Sequence, residues 1–255
     1  MKNAFLILTI ITITLTHYTN AQTGITDLRT GIEILFVTDD DMFPESWTEG
    51  EINGEASSLS VSERRRSGNI LKIALSKYPI SVIKENLTKI YVLKFLKFYN
   101  VPYGGTNSND IVYLTNRGED EGYTDFYLEQ TFHHEFSSIL LRNSSDLFFN
   151  TKWESVNNDD FVYGNGGVQA IYEDQASLIF EEIYHEQGFL HQYAMSGVEN
   201  DFNSIAENLF CPHPQFWEIY ESYPQIRLKT ELTIKLYHSI NEEFTKDYFL
   251  KFKDK

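Results

Sequence analysis

The densest chemistry in the sequence sits in Thr131-Phe132-His133-His134-Glu135-Phe136-Ser137-Ser138-Ile139-Leu140. Two imidazoles, a carboxylate and a pair of serine hydroxyls interrupt an apolar pattern with helical spacing. At about 100° per residue, His134, Glu135 and Ser138 share one broad side of such a helix, and Phe132, Phe136, Ile139 and Leu140 share the other. Two histidines one turn apart hold a zinc ion, and a glutamate between them polarises metal-bound water. Here His134 has a serine, Ser138, one turn on. A neutral hydroxyl is a poor zinc ligand, so these two side chains alone make a weak site. His133 lies about a quarter-turn away, with Glu129 and Ser137 as its turn neighbours. It is either a direct ligand or a buried, hydrogen-bonded ring.

A further ligand must come from a later segment. Glu199-Asn200-Asp201-Phe202-Asn203-Ser204-Ile205-Ala206-Glu207 supplies Asp201 and Glu207 as candidates. Asp201 has an equal alternative as a helix N-cap. Glu207 stands in the apolar run of Ile205, Ala206, Leu209 and Phe210, so its carboxylate is expected near the interior and needs a partner there. His191, two residues before Tyr193, is a candidate to replace the absent histidine from a loop. His185 is expected near a helix C-terminus, where the dipole favours it. Cys211 is the one cysteine, which excludes a thiolate zinc cluster and an intramolecular disulfide. No phosphate loop, dinucleotide fingerprint or serine nucleophile elbow is present.

The elements that must position these groups read as strands first and helices afterwards. Residues 32–37 and 89–99 are β-branched or apolar runs, and 111–114 is a shorter one. The sparse polar positions in 89–99 predict a strand covered on both faces. Helices are expected from Ser60 or Ser62 to about Tyr78, over 81–86, and from Thr124 or Asp125 through the histidine pair. Tyr103-Gly104-Gly105-Thr106-Asn107 reads as a turn, and 143–160 as a polar connection. A helix is expected over 174–185, another from Asn200 or Asp201, and two or three more between Gln215 and Phe249. The order gives an α+β architecture.

Composition narrows the partners. The chain of 255 residues carries a net charge of −16, which argues against nucleic acid and anionic membrane. Lys2, the apolar stretch 4–15 and Ala21 read as a secretory signal over residues 1–21, giving a secreted or periplasmic protein. That stretch is too short to span a bilayer, and no later one is long enough. Residues 22–255 are expected to form a single domain, with an N-terminal lobe to about 142 and a helical lobe from about 143.

Several segments then fall in a recognisable order: Gly104-Gly105-Thr106, the strand 111–114, His133-His134-Glu135, Gly188-Phe189, Tyr193-Ala194, Asp201-Phe202 and Ala206-Glu207. Over roughly residues 60–212 this resembles the zinc-binding metallopeptidases secreted by Bacteroidetes, themselves similar to the catalytic domain of anthrax lethal factor. The resemblance implies a zincin-like fold, a zinc cofactor and hydrolysis of peptide or protein substrates by metal-activated water. It implies His134 as first ligand, Glu135 as base, Tyr193 as the oxyanion-stabilising phenol, and a strand before the helix that binds substrate backbone by its edge. The sequence departs from the family twice. Ser138 replaces the second histidine of H-E-x-x-H, and Asn203 and Ser204 stand where the ligand glutamate is expected. Asp201 and Glu207, with help from His133 or His191, would have to complete the metal site. The alternative is a catalytically inactive zincin-fold protein that binds peptide, glycan or protein partners in the same groove.

Overall fold

The computed structural model describes residues 23–144 and 147–253, so the signal expected over 1–21 lies outside the described residues. One mixed sheet contains β1 (Gly24–Thr26), β2 (Glu33–Leu35), β3 (Glu55–Ser58), β4 (Lys89–Phe98), β5 (Val101–Pro102), β6 (Gly105–Asn107) and β7 (Ile111–Thr115). Its order is β1-β2-β4-β7-β6, with β3 and β5 also pairing β4. β4 runs parallel to β2 and β7, and β6 returns antiparallel to β7 as the edge.

β4 is the axis of the sheet, and both its faces are covered. Ile90 and Val92 face the helices, while Tyr91 and Leu93 face the opposite side, as the strand period of two requires. That second face is closed by Met42, Phe43 and Trp47 from the connection 39–52. Tyr99 and Asn100 take left-handed backbone (φ 53° and 60°) and fold β4 back into β5 as a two-residue hairpin.

The helices are α1 (Glu45–Thr48), α2 (Val61–Ser76), α3 (Ile80–Asn86), α4 (Asp125–Ser144), α5 (Leu147–Glu154), α6 (Gly167–Tyr172), α7 (Glu182–His185), α8 (Val198–Phe210), α9 (Phe216–Ser222), α10 (Pro224–Ile240) and α11 (Lys246–Leu250). The Thr124 hydroxyl accepts the Tyr127 N–H (3.1 Å) and caps α4. Phe132, Phe136, Ile139 and Leu140 are fully buried. α4 packs on β6, β7 and α2, and α8 packs along α4. From Asp201 to Phe210 every residue of α8 is buried, so its polar side chains must find partners inside. One cluster of buried side chains runs from Ile32 to Phe252. The architecture is α+β, with the sheet in the first half and helices in the second.

Several local expectations are corrected. Gly105–Asn107 is a strand rather than part of a turn, because pairing with β7 outweighs the glycines. The polar connection contains α5, where Trp153 and Phe149 pack against Phe202. Residues 173–181 are not helical. Phe180 turns inward onto His185 and His213, while Ile179 and Ile183 stay exposed, so no single helical face is buried. α8 starts at Val198 with Gly197 as its N-cap, and Asp201 is a buried residue within its first turn rather than the cap.

Candidate functional site

A cleft of about 580 Å³ opens between β6, α4, the α6 segment, the 3-10 turn Gln192–Ser196 and α8. His134, Glu135, Ser138, Tyr193, Asn203 and Glu207 line it. α4 supplies the first three from the side opposite its apolar face, and α8 supplies the last two.

His134 and Glu207 form a direct pair, Nδ1 to Oε2 at 2.8 Å. Burial opposes charge on the imidazole, but the Glu207 carboxylate outweighs it and raises His134 above its ordinary value. Glu207 thus has the partner its apolar surroundings demand. Glu135 accepts the Asn107 side-chain N–H at Oε2 (2.7 Å). Arg142 donates to Asn107 Oδ1 (2.8 Å) and to the Ser108 carbonyl (2.7 Å), which turns the Asn107 nitrogen towards Glu135. Burial raises the Glu135 carboxyl above its usual range, against the pull of His134 and Asn107. Tyr193 stacks near His134, with ring centroids 6.4 Å apart. Burial, reinforced by the Glu135 charge, raises its phenol, so it stays a neutral donor.

Ser138 and Asn203 meet each other. Asn203 Nδ2 donates to Ser138 Oγ (2.7 Å), and Ser137 Oγ donates to Asn203 Oδ1 (2.8 Å). Both ends of the amide are therefore satisfied by hydroxyls of α4.

The remaining candidates lie elsewhere. His133 is fully buried, accepts the Tyr78 hydroxyl at Nδ1 (2.8 Å) and stacks on Phe210, which places it in the core rather than in the cleft. Asp201 does not reach the cleft either. It is 0 % exposed and holds Lys229 (2.7 Å), the Trp153 indole N–H (2.9 Å) and the Tyr163 hydroxyl (2.6 Å). Lys229 also donates to the Gly188 carbonyl (2.8 Å), so this buried pair ties α8 to α10 and to the loop before Tyr193. His191 accepts the Ala194 N–H at Nδ1 (3.2 Å), which leaves the proton on Nε2, where it cannot ligate. His185 donates to the Leu190 carbonyl (3.1 Å).

This donor set does not fit zinc. Of the candidates that reach the cleft, His134 and Glu207 are bonded to each other, and the neutral Ser138 and Asn203 are bonded to each other. Among the described residues no group of three His, Cys, Asp or Glu side chains converges to hold a metal ion. Asn107 escaped the sequence reading because only the β6–β7 pairing brings it to Glu135. Glu199 also lines the cleft, and its only sequence signal was membership of the acidic segment that opens α8.

Among solved structures, the chain is similar to one described as a "putative zinc-binding metallo-peptidase" from Bacteroides caccae. Identity is 13%, the TM-score is 0.42, and the match covers 73% of this chain and 77% of that one. No family model matches the chain, and no curated protein matches it.

Proposed function

We propose that the protein is a zincin-like, metal-free binding protein whose cleft holds an extended polypeptide. The observation that carries this reading is the direct hydrogen bond, 2.7 Å long, between Ser138, which replaces the second histidine of the resembled enzymes, and Asn203, one of the two residues where their ligand glutamate is expected. A metal there would have to break a buried, hydrogen-bonded pair and would gain only neutral donors from it.

The edge of β6 supports a polypeptide as the ligand. The Thr115 N–H reaches the Gly104 carbonyl, and the Ser108 N–H reaches the Ile111 carbonyl. In an antiparallel ladder paired and unpaired positions alternate, so Thr106 faces β7 while Gly105 and Asn107 present their N–H and C=O groups outward. An added strand would find these groups at the rim of the cleft. The leader read over residues 1–21 would place such binding outside the cytoplasm.

Metal content tests this reading. The purified protein, exposed to zinc and dialysed, is expected to retain no stoichiometric zinc by elemental analysis. The double variant Ser138→His with Asn203→Glu restores two strong ligands beside His134 and should retain close to one ion per chain. One zinc per chain in the unaltered protein, lost in His134→Ala, would overturn the proposal in favour of a zinc peptidase with Glu135 as its base.

A further inference from the structure

The side chains around the cleft include three carboxylates, Glu135, Glu199 and Glu207, and neither lysine nor arginine. Glu207 is committed to His134, so that pair contributes little net charge. Glu135 is different. Its side chain is buried, the residue being 8 % exposed, and its Oε2 has Asn107 as its only partner among the described residues. Its Oε1 takes no hydrogen bond from a described residue, yet it is not sealed in the interior. That oxygen lies against the β6 edge: a methyl group built on Gly105 would sit 2.9 Å from it. A carboxylate so deep, with one oxygen unpaired and open to a cleft without lysine or arginine, has only the Asn107 amide and the already engaged His134 to set against its burial.

We propose that the ligand supplies a partner for Oε1: Glu135, assisted by Glu199, anchors a cationic nitrogen of the bound polypeptide, from a lysine side chain or a free N-terminus. The inference rests on the polypeptide-binding reading and names the substrate class. A strand paired to Gly105 and Asn107 runs past Oε1, so a side chain or chain end pointing into the cleft meets the carboxylate. The ammonium donates to Oε1, while Asn107 keeps Oε2 in place. Arg142 cannot take this role, since Asn107 and Ser108 already engage it outside the cleft.

Calorimetric titration of the purified protein tests this with three valine- and threonine-rich hexapeptides. The first is blocked at both ends and carries one lysine, moved along the peptide in a set. The second replaces that lysine with norleucine and is also blocked. The third is the norleucine peptide with a free N-terminus. One cationic source is expected to bind at least about ten-fold more tightly than the blocked norleucine peptide, as a charge-assisted hydrogen bond implies. Glu135→Gln should bring it down to the norleucine level, and a cooperative urea transition close to that of the unaltered protein shows that the variant is folded. Glu199→Gln should lower the preference by a smaller factor. Equal binding of all three peptides, or a preference that survives Glu135→Gln, overturns the cation anchor while the polypeptide reading stands. Binding of none overturns both.

Discussion

At the residue scale the cleft turns on Asn203. Its amide is buried between Ser137 and Ser138, accepting from one hydroxyl and donating to the other. Asn203→Ala would leave the Ser138 hydroxyl without its donor and take the amide acceptor from Ser137, which also donates to the His134 carbonyl (2.8 Å). A loss of about 1–3 kcal/mol is expected, read as a lower urea midpoint. A change below about 0.5 kcal/mol would mean that the network does not hold α4 and α8 together. The sequence showed that Glu207 needed a partner, because a carboxylate in an apolar run cannot stay bare. It did not show which one: His134 lies 73 residues away and meets Glu207 only when α8 packs on α4. The same holds for Asp201, whose partner Lys229 comes from α10. An acidic residue near a candidate metal motif has two readings, ligand or buried ion pair, and only tertiary packing separates them.

At the element scale the deciding piece is β6. Its three residues sit on α4 because Gly105 has no side chain. An added Cβ would stand 2.8 Å from Thr131 Cγ2 and 2.9 Å from Glu135 Oε1. Gly105→Val should therefore push the strand off α4 and close the cleft at Glu135. An overpacking cost of about 1–3 kcal/mol is expected, together with loss of binding to every hexapeptide. Retained affinity would show that ligands avoid the β6 edge. A second check leaves the protein intact: backbone N-methylation at alternate ligand residues should abolish binding in one register and spare it in the other. The long elements were legible, because α2, α4 and β4 carry their periods openly. The short ones were not. β6 exists only through pairing with β7, and α5 only through the packing of Phe149 and Trp153 on Phe202.

At the scale of the whole molecule, the buried histidines tie stability to pH. His133 is held down to about 4 by burial although Glu129 faces its Nε2 at 3.5 Å, and His191 is held down to about 3 by burial and by the charges of His134 and His185. Both rings are nearly or fully inaccessible. Each is neutral in the fold, whereas the unfolded chain takes up a proton near pH 6.5. The unfolded state then binds more protons, so stability falls as pH falls from about 6.5 to each folded value and stops changing below it. For His133 the gap from 6.5 to about 4 corresponds to roughly 3 kcal/mol. His134 runs the other way: its raised value favours the protonated fold, so its contribution is complete below pH 6.5 and is lost as pH rises through the folded value. Urea midpoints followed from pH 7 to pH 4 should fall steadily. His133→Gln should flatten part of that slope at some cost in stability at pH 7, because its amide can still accept the Tyr78 hydroxyl but does not titrate. The same pH dependence in the unaltered protein and in His133→Gln would mean that the His133 ring is not held neutral, since the opposing contribution of His134 is common to both. The deep burial of His133 that contributes to this slope also keeps the ring out of the cleft.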